Sequence, residues 1–151
     1  MGRVTNIYLR PSSRTPVREV TTAEARAGAG LVGDHARGGN RQVTLMESKA
    51  WLAALNDLGR ENLPPAGRRA NVVVDDFSLE QAIGRRIQVG ECVIEVVAEL
   101  RPCKLMEDVT PGLMHALEPE CRGGAYGRVV QSGRIEAGAL VQLLPELVAA
   151  E

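Results

Sequence analysis

The fold of this chain is decided by residues 92–106, which read CVIEVVAELRPCKLM. The first nine residues alternate in character and are rich in β-branched side chains, a pattern typical of a strand. Cys92 shares one face of this strand with Ile94, so we expect Cys92 to be buried in the core. Pro102 cannot donate a hydrogen bond to a sheet, and the strand should therefore end close to it.

Cys103 follows this strand end, where a thiol can face a pocket instead of the core. Arg101 and Lys104 flank it, and nearby cations favour the thiolate, which is the nucleophile and the metal ligand. We expect Cys103 to be at least partly accessible, in a concave site with Arg69 or Arg122. The alternative at this point is a buried structural thiol, because free cysteine is among the most buried residue types.

The three cysteines are an odd number without close pairing, which argues against a disulfide framework and suits a reducing cytosol. Cys121 is a rival nucleophile to Cys103, although an incidental surface position is the interpretation we favour. The cysteines and the two histidines show neither C-x-x-C nor H-x-x-H spacing, so no zinc site is predicted.

Size and composition predict one soluble domain over residues 1–151. The net charge of −1 provides no electrostatic field that would attract nucleic acid or an anionic membrane. The aromatic content of 3% leaves few side chains on which bases could stack. Arg68-Arg69 and Arg85-Arg86 are local basic spots that could bind anions. No apolar run is long enough to span a membrane, and the N-terminus lacks the apolar block of a signal peptide, so we expect a cytoplasmic protein.

Many short strands separated by glycine turns predict a mainly β fold. Strands and helices do not alternate regularly, so a barrel-like or closed mixed sheet is expected instead of a doubly wound fold. Gly90-Glu91 is predicted to close a type II′ hairpin, and Gln131-Ser132-Gly133 is predicted to be another turn. Residues 21–27 fit either a helix or an extended chain. The predicted strands are 4–9, 16–20, 41–46, 72–74, 86–89, 92–100, 125–130, 134–136 and 140–144.

Two or three short helices complete the prediction. Apolar residues recur at helical spacing over residues 51–58, and Gly59 is a suitable C-terminal stop. A single helical turn is predicted over residues 78–82. A further helix should start at Thr110, as the N-cap, with Pro111 at the first helical position.

A glycine-rich loop occupies residues 28–40. Its glycines match the G-x-G-x-x-G pattern of dinucleotide-binding proteins, but that motif must open a helix, and Gly38-Gly39 make a helix unstable there. The match is therefore rejected. The loop carries Asp34 and His35, which could orient or protonate a ligand or could simply anchor the loop by hydrogen bonds.

Arg41, Arg69 and Arg122 are candidates for binding an anion, because a guanidinium group matches the geometry of a phosphate. Asn71 follows Arg69 by two residues, so on a strand both would face the same side. Gly123-Gly124 would let backbone N–H groups approach a ligand closely. For each arginine, an exposed or loop-bracing role is an equal alternative.

Seven fragments occur in the order found in the MOSC domain, the module named for the C-terminal part of molybdenum-cofactor sulfurase, which this chain resembles over nearly its whole length. The resemblance implies a mostly β, barrel-like fold and a functional cysteine, which falls on Cys103. The family's usual Gly-Asp near the last hairpin reads Gly138-Ala139 here. The fragments are GLVGDH at 30–35, RQVTL at 41–45, RANVV at 69–73, IQVG at 87–90, PC at 102–103, RGGAYGRV at 122–129 and GRIEAG at 133–138.

The resemblance implies that Cys103 carries sulfane sulfur for transfer to a metal cofactor, or that the chain binds a pterin-type molybdenum cofactor (molybdopterin) with Cys103 as a possible molybdenum ligand. The residues expected to bind the cofactor are Asp34, His35, Arg41, Arg69, Asn71, Lys104, Arg122, Gly123 and Tyr126.

The leading hypothesis is a small stand-alone protein of this type that works with a cysteine desulfurase or a molybdoenzyme. Pyridoxal phosphate is associated with the family through the sulfurase, but nothing in this chain resembles its lysine site, so we do not expect the chain to mobilise sulfur from free cysteine. The alternative is a molybdenum-dependent reductase of N-oxygenated compounds. Against it, the chain lacks the extra N-terminal domain that such enzymes usually carry.

Overall fold

The computed structural model describes residues 1–60 and 62–146. In these residues the chain forms eleven strands, four short α-helices and two 3₁₀ turns, at Pro65–Arg68 and Pro119–Cys121. The strands are β1 (Gly2–Leu9), β2 (Arg18–Val20), β3 (Thr22–Arg26), β4 (Gly30–Leu31), β5 (Val43–Glu47), β6 (Val72–Asp75), β7 (Arg86–Val89), β8 (Cys92–Glu99), β9 (Ala125–Gln131), β10 (Gly133–Glu136) and β11 (Leu140–Leu143). The helices are α1 (Ser48–Asp57), α2 (Leu79–Ala82), α3 (Met106–Val109) and α4 (Leu113–Ala116).

Seven strands close into a barrel in the order β11-β7-β8-β9-β5-β6-β1, because β1 also pairs with β11. Strand β2 extends the sheet beyond β1, and β10, β3 and β4 form a separate small sheet. All pairs are antiparallel except β5–β6. The predicted mainly β, barrel-like fold is confirmed, with four short helices where two or three were expected.

The core consists of two apolar clusters, one on each side of the barrel wall. Ile7, Leu45 and Ile94 belong to the larger cluster, to which most barrel strands contribute. Trp51 of α1 belongs to the second, where helices α1, α3 and α4 cover Met46 and the other outward-facing side chains of β5 and β6. Strand β5 is therefore buried on both faces, which gives the side chains beside it a rigid support.

The turn chemistry is confirmed at two places. Val89 lies opposite Cys92, and Gly90 between them has a φ of +59°, as the first position of a two-residue hairpin turn requires. Helix α1 ends at Asp57, and Gly59 just beyond it has a φ of +66° and donates its N–H to the Asn56 carbonyl. Residues 34–40 form no helix, consistent with rejection of the dinucleotide motif.

The predicted helix start at Thr110 is wrong. Thr110 ends α3, which the sequence did not predict, and α4 begins only at Leu113. The carboxylate of Glu107 accepts hydrogen bonds from the N–H groups of Gly112 and Met114, at 3.0 and 2.9 Å, and so takes the capping role assigned to Thr110.

Two further segments differ from expectation or resolve an ambiguity. The ambiguous residues 21–27 contain β3, which pairs with β10. Residues 131–133 do not fold back as a turn, because β9 pairs in the barrel whereas β10 pairs in the small sheet, and only Ser132 separates them. No helix within residues 1–60 and 62–146 is long and apolar enough to cross a membrane.

We predict that Gly124→Ala is strongly destabilising. Gly124 has a φ of +99°, and a Cβ there would overlap the carbonyl oxygen of Leu45. The left-handed backbone conformation, which disfavours alanine, and the overlap of its Cβ with Leu45 should together lower the free energy of unfolding by roughly 3 kcal/mol or more. Gly138→Ala is the matched control, because Gly138 has a φ of +90° but a Cβ there would have no atom within 4 Å. This substitution should therefore lower the free energy of unfolding by only about 1–2 kcal/mol. Equal decreases for the two variants in urea denaturation would contradict the packing at Gly124.

Candidate functional site

Cys103 is exposed and lines a cleft of about 230 Å³. It sits between β8 and α3, where the Leu100 N–H donates to the Gly124 carbonyl at 2.8 Å and the Met106 N–H donates to the Cys103 carbonyl at 3.0 Å. These bonds hold the turn that carries the thiol. The structure thus places Cys103 in a concave site, as expected from its position after a strand.

The cleft is lined by cationic side chains. No Asp or Glu of the described residues contributes to the lining, although His35 and Thr44 do. A cleft of this composition favours an anionic ligand. The five arginines are Arg10, Arg41, Arg68, Arg69 and Arg101.

Arg10 is fixed in place by Asp34. Its Nε and Nη2 donate to the two carboxylate oxygens of Asp34 at 3.2 and 3.0 Å, and its backbone N–H donates to the same carboxylate at 2.7 Å. Burial alone would raise the pKa of Asp34, but the hydrogen bonds and the charge of Arg10 outweigh it, and the pKa lies below its usual range. The aspartate is therefore ionised and holds Arg10 at the cleft.

Asn71 is completely buried at the centre of the same network. Its Oδ1 accepts from Arg10 Nη2 at 3.1 Å and from the Thr44 backbone N–H at 3.0 Å. Its Nδ2 donates to the Tyr8 carbonyl and to Asp34 Oδ1, both at 3.0 Å. Asp34 and Asn71 are both buried with their polar atoms engaged, so the structure shows them placing Arg10, and their expected contact with a cofactor stays a prediction.

His35 lies on the other side of this network. Its backbone N–H donates to the Arg10 carbonyl at 2.8 Å, which anchors the loop, while its exposed side chain lines the cleft. Asp34 therefore anchors the loop, whereas contact between His35 and a ligand stays a prediction.

Arg69 braces the wall of the cleft. It has a φ of +64°, and its guanidinium donates to the carbonyls of Thr15 and Ser12 at 2.7 and 3.2 Å. These bonds hold the loop after β1, from which Ser13 lines the cleft. Loop bracing is thus the contact that the structure shows for Arg69.

Arg41 is supported by Tyr126. Its guanidinium carbon lies 4.8 Å from the centre of the Tyr126 ring, within range of a cation–π interaction. Tyr126 itself is not among the lining residues. Arg41 is exposed and can contact a ligand, and Tyr126 orients it.

Arg68 is the residue that the sequence analysis undervalued. It is only 6% exposed, yet it lines the cleft. Its Nε donates to the Gly123 carbonyl and its Nη2 to the Leu100 carbonyl, both at 3.1 Å. The doublet Arg68-Arg69 marked this place in the sequence, but no local signal shows which of the two arginines turns inward.

Three other expected site residues do not line the cleft. Arg122 Nη1 donates to Asp57 Oδ2 at 2.7 Å and to the Ala116 carbonyl at 3.0 Å. The Gly123 carbonyl accepts a hydrogen bond from Arg68 Nε. Lys104 is exposed beside Cys103, outside the lining.

Cys92 and Cys121 are both buried. For Cys92 this confirms the prediction from strand alternation. Cys121 was expected at the surface and is instead packed under the turn before β9, with its thiol 3.4 Å from the Gly124 carbonyl. Burial raises the pKa of Cys92 to about 12. Burial and then the charges of nearby glutamates raise the pKa of Cys121 to about 11.

Three larger clefts lie elsewhere, one of about 590 Å³ at the end of α1, one of about 460 Å³ beside β11 and one of about 280 Å³ lined by Arg85 and Arg86. None of the three is lined by a cysteine. Within residues 1–60 and 62–146, no group of three or more His, Cys, Asp or Glu side chains is arranged to hold a metal ion. Cys103 and the arginine-lined cleft around it are therefore the candidate functional site.

We predict that iodoacetamide at pH 8 labels Cys103 at least about ten times faster than Cys92 or Cys121, because the last two are buried and carry raised pKa values. Peptide mass spectrometry of native protein over time measures the three rates. Cys103→Ser should remove the fast phase alone. Faster labelling of Cys92 or Cys121 would show that the thiol environments are misassigned.

We predict that Asp34→Asn lowers the free energy of unfolding by roughly 3 kcal/mol at pH 7, since it leaves Arg10 without its buried partner. Because the pKa of Asp34 is lowered in the fold, its contribution is present above the unfolded pKa of about 4 and is lost as the pH falls further. Urea titrations at several pH values should therefore show the two proteins converging in acid.

Glu24→Gln is the matched control, because Glu24 pairs with Arg134 on an exposed surface where such pairs contribute about 0–1 kcal/mol. An Asp34→Asn loss no larger than that of Glu24→Gln would contradict the network.

Comparisons with known proteins agree with this architecture. The model of the MOSC domain matches residues 33–142. A search of curated proteins gave no match. The chain superposes on the YuaD protein from Bacillus subtilis with a TM-score of 0.77, at 18% identity, covering 93% of this chain and 94% of that chain.

YiiM from Geobacillus stearothermophilus gives a TM-score of 0.75 at 16% identity, covering 96% of this chain and 76% of that chain. YiiM from Escherichia coli gives a TM-score of 0.73 at 17% identity, covering 97% of this chain and 72% of that chain. At such identities the likeness shows a shared fold. The family model, by contrast, spans most of this chain, which therefore belongs to the MOSC domain family.

Proposed function

We propose that the cleft binds a pterin-type molybdenum cofactor, with the Cys103 thiolate as a ligand to molybdenum and the arginines as partners of the cofactor's phosphate. The observation that carries this proposal is the accessible thiol beside five guanidinium groups, on a lining to which no described carboxylate contributes. One thiolate cannot balance that charge, so a ligand with further negative charge fits the donors present. The association of the MOSC domain family with the molybdenum cofactor supports the same ligand.

The arginines differ in how they would serve this ligand. Arg10 is held by Asp34 and Asn71, so little conformational entropy is lost when it binds an anion. Arg41 stacks on Tyr126 and can form the two parallel hydrogen bonds that a phosphate accepts. Arg101 is exposed and lines the cleft two residues before Cys103, where its charge attracts an anion.

The volume of about 230 Å³ lies below the roughly 300–1,000 Å³ typical of sites that enclose a drug-sized ligand. The cleft would therefore hold the anionic part and the metal of the cofactor, while the pterin extends outside. Bound molybdenum would supply a centre that exchanges oxygen or sulfur ligands and accepts electrons.

A second role, as a carrier of sulfane sulfur, is favoured by the exposure of Cys103 on an open wall. Its thiolate would attack the terminal sulfur of a partner's persulfide, the sulfur–sulfur bond of the donor would break, and the donor would leave as a thiolate. A cysteine desulfurase is the proposed donor and a molybdoenzyme the proposed acceptor.

We predict that protein expressed in a host that makes the cofactor retains molybdenum and a fluorescent pterin, and that Cys103→Ser loses most of the molybdenum because a hydroxyl is a poor ligand for a soft metal. Elemental analysis and pterin fluorescence measure both. Arg41→Gln should reduce retention, whereas Arg128→Gln, which alters an exposed arginine paired with Glu95, should not.

Wild type without molybdenum, or equal molybdenum in wild type and Cys103→Ser, would contradict cofactor binding through Cys103. Persulfide on Cys103 after incubation with a cysteine desulfurase and cysteine, absent in Cys103→Ser, would then assign the carrier role. Reduction of an N-hydroxylated compound by the molybdenum-loaded protein would assign the reductase role.

A further inference from the structure

We infer that Arg68 forms an inner anion-binding point at the floor of the cleft, which pairs with negative charge carried on or directly beside the Cys103 sulfur. The charge can be a thiolate, a persulfide or an acidic group joined to the sulfur. This inference deepens the proposed function, because it separates one buried arginine from the exposed arginines that would hold a phosphate.

Arg68 has no acidic partner within the described part of the chain. Arg68 is 6% exposed, and its two short hydrogen bonds go to neutral carbonyls, those of Gly123 and Leu100. Its remaining nitrogen, Nη1, has only a 3.9 Å contact with the sulfur of Met106. Arg68 takes part in none of the ion pairs among residues 1–60 and 62–146. A buried cation in this state is costly unless an anion comes close to it.

The guanidinium of Arg68 contacts the segment that carries the Cys103 thiol. Its partners Leu100 and Met106 lie three residues before and three residues after Cys103, so Arg68 reaches both ends of the turn that carries the thiol. Arg68 and Cys103 both line the cleft. A Cβ on Gly123 would overlap the Leu100 carbonyl oxygen, which accepts the hydrogen bond from Arg68 Nη2, so glycine leaves the room that this arrangement needs.

The electrostatic balance agrees with the geometry. Burial and, to a smaller extent, the charges of Arg41 and Arg10 lower the pKa of Arg68, the charge of Cys103 acts in the opposite direction, and the net pKa is about 10. Arg68 stays protonated at neutral pH, surrounded by other cations. Among these contributions, only negative charge at Cys103 stabilises the protonated form of Arg68.

A purely structural role for Arg68, as a tie between Leu100 and Gly123, would not depend on the charge at Cys103. Alkylation of native wild-type protein separates the two roles without a mutation. The Cys103 thiolate displaces iodide from iodoacetate or from iodoacetamide, and the two adducts differ only in a carboxylate or an amide. Peptide mass spectrometry confirms that each protein carries one adduct, on Cys103.

We predict that the carboxymethyl adduct melts about 3 °C or more above the carbamidomethyl adduct, because the carboxylate gives Arg68 a charged partner. The difference should persist in about 0.5 M NaCl, where attraction by exposed arginines is screened. It should be lost in Arg68→Met and retained in Arg41→Gln. In Cys103→Ser, the same treatments should give no difference in melting temperature.

Equal melting of the two wild-type adducts overturns the inference. A difference that high salt abolishes, or that Arg68→Met retains, also overturns it, because the exposed arginines would then be its source. If Arg68→Met does not fold, the wild-type adducts and their salt dependence still decide. These measurements involve no molybdenum, so the inference can fail while cofactor binding stands, and cofactor binding can fail while the inference stands.

Discussion

The hydrogen-bonded side chain of Asn71 is the constraint on which the site depends. Asn71 joins the carbonyl of Tyr8 in β1, the backbone of Thr44 in β5 and the carboxylate of Asp34 in the glycine-rich loop. It is completely buried, so every one of these bonds forms away from water, where an unmade bond is most costly. One amide thereby joins β1, β5 and the glycine-rich loop and fixes the position of Arg10.

The charge distribution around Cys103 follows from this framework. Asp34 neutralises Arg10 on the buried side and leaves the cleft lining to arginines, His35 and the thiol. The chain as a whole has a net charge of −1, so the positive charge is a local feature of the cleft. A site of this kind selects for anions by position and local field, while most of the surface exerts no such attraction.

The sequence was most informative where local patterns act. The alternation in β8 predicted that Cys92 is buried, and Pro102 predicted that Cys103 lies past a strand end. The roles of the arginines depend on partners far away in sequence: Arg10 pairs with Asp34, 24 residues on, and Arg122 pairs with Asp57, 65 residues back. No periodicity encodes such pairs. Arg68 turns inward for the same reason, since its partners Leu100 and Gly123 come from the segments after β8 and before β9. Helix α3 has only four residues, too few for a helical pattern to be visible.

The claim that the cleft at Cys103 is the anion site of this protein is tested most directly by diffraction from crystals grown with tungstate, whose anomalous scattering locates the oxyanion. The strongest peak should lie in the cleft, within hydrogen-bonding distance of Arg10, Arg41 or Arg68. An empty cleft, with tungstate bound instead at other arginines such as Arg85 and Arg86, would contradict it.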